Sequence, residues 1–233
     1  MNGLSILIIT NGQDHAAPFL REARKAATLL RAELVIVGDG KAGYFMAQNY
    51  ADVACVMYSA GYLESIYNAA VQKCGRDCVL RLDDDETISP ALMAWLSEEK
   101  YLSGDLWTFP RCNLWGDRDH FITNPPLWPD IQTRLGKKGL MGGRYHIHEG
   151  SAHGTGQIAP CAILHHKFIV KSRPERERIA AKYDSVRPGA GTGPTYAPFG
   201  LPEACYNKLD IALTGSGSFG GELQPGPTYE VVP

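Results

Sequence analysis

Nothing in the 233 residues approaches the run of roughly 20 apolar residues that a membrane span requires. The start, Met1 to Thr10, reads as a strand and not as a signal peptide, so a soluble, cytoplasmic protein is expected. The six cysteines, at positions 55, 74, 78, 112, 161 and 205, include no CxxC pair and are too sparse for a disulfide scaffold. Reduced thiols are therefore expected, and neither bridges nor a zinc site. Internal repeats are lacking too, which leaves a chain to be read as one large domain with or without an appendage.

What is present suits such a domain. The hydrophobic fraction of 44% is enough for a substantial core at this length. The net charge of −2 hides an uneven distribution: from Arg134 to Arg187 there are eleven Lys or Arg against four acids, so this stretch carries +7 and the remainder −9. A basic part facing an acidic part suits an anionic ligand. The stretch Lys171 to Lys182, with Glu175 and Glu177 interspersed, reads equally well as a solvated helix face.

Strand-like and helix-like segments alternate through the first part of the chain. Leu4 to Ile9 is a buried strand ending at Thr10-Asn11-Gly12, and Pro18 to Leu30 has helical apolar spacing. Glu33 to Val37 and Val53 to Tyr58 are strands, Leu63 to Cys74 a helix, and Cys78 to Leu82 a further strand. This alternation indicates an α/β domain with a mainly parallel central sheet. Farther on, Leu106 to Arg111, Arg144 to His148 and Ala162 to Leu164 read as strands, and Pro174 to Tyr183 as a charged amphipathic helix. From Pro188 onward nine Gly and seven Pro in 46 residues make a Gly/Pro-rich tail, with one turn of helix expected near Pro202 to Lys208.

The densest chemistry lies in Leu80-Arg81-Leu82-Asp83-Asp84-Asp85-Glu86. Three consecutive acids directly after an apolar strand call for a cation, and Asp83-x-Asp85 offers two carboxylates of the kind that Mg²⁺ or Mn²⁺ prefers. Ser89-Pro90 reads as an N-cap with proline at the first helical position. The acids lie upstream of that cap, at the C-terminal end of a strand, where open α/β sheets bind their ligands.

Other motifs admit two readings. Gly38-Asp39-Gly40-Lys41-Ala42-Gly43 matches G-x-G-x-x-G, but it follows the second strand, and Asp39 would turn an anion toward a pyrophosphate, so a dinucleotide site is rejected. Asp39 is read either as a hydrogen-bonding partner of a nucleotide base or ribose, or as a helix-capping turn residue. His146, His148 and Glu149 sit in Tyr-His-Ile-His-Glu-Gly, which lacks the spacing of a zinc helix. His165, just after a strand, could complete a coordination shell begun by carboxylates. Trp107, Trp115 and Trp128 are either packing or a ring-stacking platform.

Taken in order, the strand before Asp39, Asn68, Asp83-x-Asp85-Glu86, Pro110-Arg111-Cys112-Asn113, Trp128 to Leu135, His148-Glu149 and Ile163-Leu164-His165 resemble family 2 glycosyltransferases of the GT-A fold, particularly small bacterial and phage members. The resemblance covers roughly residues 4 to 187. It implies a Rossmann-like nucleotide-diphospho-sugar transferase domain over 1–187, followed by an extension over 188–233. Its donor would be a nucleotide-diphosphate sugar, a UDP-sugar above all. Thr10, Asn11 and Asp39 would lie near base and ribose, with Asn68, Arg81 and Asp84 also in the donor site.

The DXD acids Asp83 and Asp85, joined by His165, would hold Mn²⁺ or Mg²⁺ against the diphosphate, with His166 as the alternative histidine. Glu149 is the candidate general base, with Asp130 second. Arg111, Arg134 and Lys167 could share the charge of the leaving group. Tyr67 stands where the family often has arginine, so a phosphate contact beside Asn68 is not carried over. The acceptor would be a hydroxyl of a saccharide or glycoconjugate, or of hydroxymethylated bases in DNA. Outside this class stand a metal-dependent hydrolase using Asp83, Asp85, His146, His148 and His165, and a binding module that retains the fold without activity.

Overall fold

The computed structural model describes residues 3–123, 127–143, 152–154 and 156–191, together with the backbone of Tyr206–Lys208. The chain opens with β1 (Leu4–Thr10), α1 (Ala16–Leu30), β2 (Glu33–Asp39), α2 (Gly40–Ala47), β3 (Val53–Met57), α3 (Tyr67–Val71) and β4 (Cys78–Asp83). These strands pair in parallel in the order β3-β2-β1-β4. Both faces of this unit are covered, so β1 is buried at every position. That explains its continuous apolar run in place of alternation. Leu63–Ile66 forms a single 3-10 turn ahead of α3, where the apolar spacing predicts one unbroken helix.

The second half is less regular. It consists of β5 (Glu86–Ile88), α4 (Pro90–Ser97), β6 (Leu106–Asn113), β7 (His120–Ile122), β8 (Asp130–Lys137), β9 (Gln157–Ile158), β10 (Ile163–His165), α5 (Lys167–Val170) and α6 (Arg173–Val186). The sheet continues from β4 through β8, β6 and β10 to β5, with β8 antiparallel to both of its neighbours and β5 antiparallel to β10. The whole is a mixed α/β sheet with mostly parallel pairings. No helix of the described residues is long and apolar enough to cross a membrane. Cys55, Cys74, Cys78, Cys112 and Cys161 are free thiols.

Tyr206–Lys208 is a strand, β11, paired antiparallel with β7, and not the turn of helix expected there. Backbone hydrogen bonds to an open strand edge satisfy this stretch. The strand expected over Arg144 to His148 lies outside the described residues.

Two local features shape the ligand-facing end of the sheet. A Cβ on Gly43 would stand 2.2 Å from the Thr10 carbonyl oxygen, so the glycine lets α2 pack directly against the end of β1. This close approach accounts for part of the G-x-G-x-x-G pattern. At the other feature, the ladder between β4 and β8 ends at Leu80↔Leu135, while that between β4 and β1 runs on to Asp83↔Ile9. Strands β4 and β8 thus lose their pairing just before the acids, and charged side chains fill the gap.

Candidate functional site

The acid run makes the turn between β4 and β5; Asp83 and Glu86 share one set of partners, while Asp84 and Asp85 have others. Ser89 caps α4 as its sequence predicts, its Oγ accepting from the Leu92 amide at 3.1 Å, with Pro90 in the first turn. None of the acids serves that cap.

Asp83 belongs to a lattice of guanidinium groups. Arg81 donates to its Oδ1 and Arg134 to its Oδ2 at 2.6 Å. Arg134 also donates to Glu86 Oε1 at 2.8 Å, and Arg111 reaches the same oxygen at 3.0 Å. Arg111 turns its other edge to Asp130, through Nε at 2.7 Å and Nη2 at 2.6 Å. Three arginines thus face three carboxylates in a largely buried network. Arg81 additionally stacks over the Tyr67 ring, 4.4 Å from its centroid, so this tyrosine supports an arginine from the next strand.

Asp130 is fully engaged. Its Oδ2 accepts from Arg111 and from Asn113 Nδ2 at 3.1 Å, and its Oδ1 from Gln132 at 2.6 Å. Burial opposes ionisation there, but the Arg111 charge and these donors outweigh it and hold the carboxyl below its usual range. A carboxylate stabilised in this way is a weak base.

Asp85 turns the other way, toward β10 and α5. Lys171 Nζ donates to its Oδ2 at 2.5 Å, and His165 Nε2 lies 3.4 Å from its Oδ1. Asp85 and His165 are both buried. Burial would raise the Asp85 pKa, but the Lys171 ammonium at its Oδ2 outweighs it and keeps the acid well below the usual carboxylate range.

The protonation state of His165 follows from its neighbours. Asn113 Nδ2 donates to the Leu127 carbonyl at 3.0 Å and to Asp130, which fixes the amide orientation and leaves Oδ1 as an acceptor. His165 Nδ1 lies 2.6 Å from that Oδ1 and so must carry the proton. Burial, then Arg111, push the ring down to about 4, so at neutral pH it has no second proton. The Nε2 lone pair therefore faces a carboxylate oxygen, two acceptors with no hydrogen between them. Cis ligands of one octahedral Mg²⁺-sized ion stand roughly 3 Å apart, so this pair fits a shared divalent cation. Among the described residues no three of His, Cys, Asp and Glu come together to hold a metal, so protein would supply two ligands.

The two adjacent histidines face different surroundings. His166 points away, Nε2 to Thr87 Oγ1 at 2.8 Å and its ring against Phe19 at 4.9 Å between centroids. Its backbone amide donates to the Asp85 carbonyl at 2.8 Å, which fixes the acid turn against β10.

The remaining sequence candidates distribute as follows. Thr10 donates to Asp84 Oδ2 at 2.8 Å, so the first strand joins the acid turn. Burial and the adjacent Asp85 push Asp84 up to about 7. Asn11 is exposed at the same strand end and accepts from the Gln13 amide. Asp39 occupies the N-cap position of α2 but caps nothing with its side chain, which accepts from the Ser59 amide at 2.9 Å and Ser59 Oγ at 2.6 Å. Asn68 exchanges two hydrogen bonds with the Gly143 backbone and is spent on holding that loop. Glu149, His146 and His148 lie outside the described residues.

Lys171, at the start of the stretch that reads equally well as a solvated helix face, lies inside. Its side chain is only 14% exposed. The one available signal was the capping box Ser172 to Glu175, which begins α6 after Lys171 and separates it from the charged helix face. Burial lowers neighbouring Lys167 to about 8. The three tryptophans pack and offer no open platform: Trp107 meets Trp95 edge-on at 4.9 Å, Trp115 lies on Phe168 and Trp128 on Phe121.

No protein-family model matches this chain, and no curated protein matches it in sequence. Its fold is similar to that of S. aureus TarS. The 1–349 form of TarS in complex with UDP-GlcNAc matches over 78% of this chain and 66% of its own, with 12% identity and a TM-score of 0.51. Whole TarS matches over 78% of this chain at 12% identity and a TM-score of 0.50, this chain spanning 39% of its length.

Proposed function

We propose that this chain transfers a sugar from a nucleotide-diphosphate donor, a UDP-sugar above all, to a hydroxyl acceptor, with a divalent Mn²⁺ or Mg²⁺ held by Asp85 and His165. One observation carries the reading: Nε2 of the buried His165 faces Asp85 Oδ1 at 3.4 Å at the C-terminal end of a parallel strand. A lone pair opposite a carboxylate is an arrangement that a cation favours. The shared fold supports the donor class, because S. aureus TarS binds UDP-GlcNAc. The order of the motifs from Asp39 to His165 supports the family 2, GT-A assignment.

Within this reading, the cation supplies charge neutralisation at the departing diphosphate, where it matters more in the transition state than in the ground state. Asp83, with both oxygens engaged by Arg81 and Arg134, fixes the acid turn rather than meeting the ion directly. Asp39 and Thr10, at the ends of neighbouring strands, border the nucleoside. Arg111 and Lys167 add positive potential on the leaving-group side.

Glu149 takes the proton of the acceptor hydroxyl as that oxygen bonds to the sugar C1. The bond from C1 to the phosphate oxygen breaks, its electron pair leaves with the nucleoside diphosphate, and the anomeric centre inverts. Saccharide, glycoconjugate and modified DNA all offer such a hydroxyl, and the positive stretch from Arg134 to Arg187 favours an anionic acceptor among them.

The test is a thermal-shift screen of nucleoside diphosphates with and without Mn²⁺, followed by nucleotide release from the matching sugar donor. A shift for UDP that needs the metal is expected. Equal shifts with and without metal, or none for any base, contradict the reading.

A further inference from the structure

The backbone of Lys171 is held on both sides. Its amide donates to the Lys167 carbonyl at 3.0 Å, closing α5, and its own carbonyl accepts from Arg176 Nη1 at 2.5 Å. The next residue, Ser172, begins α6 through the box with Glu175. The Cα is thus held from both sides, while the ammonium rides on a flexible four-carbon stem. Across the site, Asp85 has two differently used oxygens: Oδ2 takes Lys171 at 2.5 Å and Oδ1 faces the His165 lone pair at 3.4 Å. Arg134 and Arg111 beside Asp83 contrast with this, since each is forked between two carboxylates.

We propose that Lys171 is a donor-binding residue that shares Asp85 with the divalent ion: the ammonium neutralises the carboxylate, yields it when the ion binds, and passes to the phosphate oxygens of the donor. The inference deepens the proposed function and rests on it. A carboxylate buried as deeply as Asp85 needs a positive partner at all times. Two cations on one carboxylate repel, so ion binding weakens the Lys171 contact and frees the ammonium for the nearest new anion. That anion is the diphosphate, which an ion at Asp85 and His165 holds within a few ångströms of Nζ, about the sweep of a lysine stem on a fixed backbone. The handover is noncovalent and needs no proton transfer.

The consequence is a pair of opposite effects. Removing the ammonium takes away a competitor of the metal and a partner of the phosphate. For Lys171→Met, Mn²⁺ alone, titrated against the protein by the loss of the free-ion electron paramagnetic resonance signal, binds about tenfold more tightly than to wild type. With Mn²⁺ saturating, UDP binds about tenfold more weakly, and Lys171→Arg recovers part of that loss. Circular dichroism melts without ligands identify a variant that fails to fold, in which case Lys171→Gln replaces Lys171→Met.

A side chain that merely supports the fold changes neither affinity, or lowers both. Unchanged or weaker Mn²⁺ binding in Lys171→Met, or unchanged UDP binding, overturns the handover while wild type still binds both ligands. Wild type that binds neither Mn²⁺ nor UDP overturns the proposed function itself.

Discussion

Asp83 and Asp85 stand two residues apart on one turn, and their surroundings differ in kind. Asp83 is locked by Arg81 and Arg134 into a network with Glu86, Arg111 and Asp130. Asp85 meets one flexible lysine and an unprotonated histidine nitrogen. Guanidinium forks fix geometry in two directions and are poorly exchangeable, whereas an ammonium is a point charge that moves on its stem. One side of the turn is built as scaffold and the other as a seat for an exchangeable cation. A D-x-D pattern in sequence does not distinguish the two; the partners contributed by distant strands do.

The comparison breaks most visibly on the scaffold side. Arg134→Met leaves Asp83 and Glu86 short of a counter-charge inside the sheet, and removal of one partner of a buried ionic network costs about 3–5 kcal/mol. Urea denaturation of this variant should show a loss of that size. The same measurement on Asp85→Asn should show a smaller one, because it leaves a single ammonium on a flexible stem and not a guanidinium shared between two carboxylates. Comparable losses in both variants would erase the distinction.

A second test concerns pH and the two adjacent histidines. His166 is buried against Thr87 and Phe19, and burial brings its ring down to about 4 from an ordinary 6.5. The unfolded chain takes up a proton below 6.5 that the folded chain refuses until about 4, so this residue's contribution is complete above pH 6.5 and is lost as pH falls toward 4. Relative to His166→Gln, wild type should lose up to about 3 kcal/mol across that window. The difference between the two proteins matters here, since Asp84 and Glu86, raised by burial and by their acidic neighbours, act with the opposite sign in both. A flat difference would mean that the ring protonates freely in the folded state.

On the exchangeable side, Asp85→Asn should abolish the metal-dependent stabilisation by UDP. For wild type at a ligand concentration one hundred times Kd this amounts to about 2.7 kcal/mol. The smallest effect is expected for Thr10→Val, which removes one neutral donor from Asp84 and should cost about 1 kcal/mol in urea denaturation. A Thr10→Val loss as large as that of Arg134→Met would place Asp84 in the scaffold with Asp83.

Much of this architecture was legible in the residues. The apolar run of β1, the spacing of α1, the Ser89-Pro90 cap and the acids at the end of β4 each follow from local rules, and the parallel half of the sheet follows with them. His165, expected just after a strand, is the last residue of β10. Strand β8 was not: Asp130–Lys137 alternates weakly, and its arginine is buried only because carboxylates 51 and 48 residues away neutralise it. Lys171 was hidden for the same reason, its partner Asp85 lying 86 residues back. Charges that fold inward do so through long-range pairs, which periodicity cannot register.

The most direct measurement is an anomalous difference map, recorded at the manganese edge, from crystals grown with Mn²⁺ and UDP. The account predicts one strong peak between Asp85 Oδ1 and His165 Nε2, in contact with the diphosphate, with Asp83 still bound to Arg81 and Arg134. A peak seated on Asp83, or UDP bound at this strand end with no manganese beside Asp85, would contradict it.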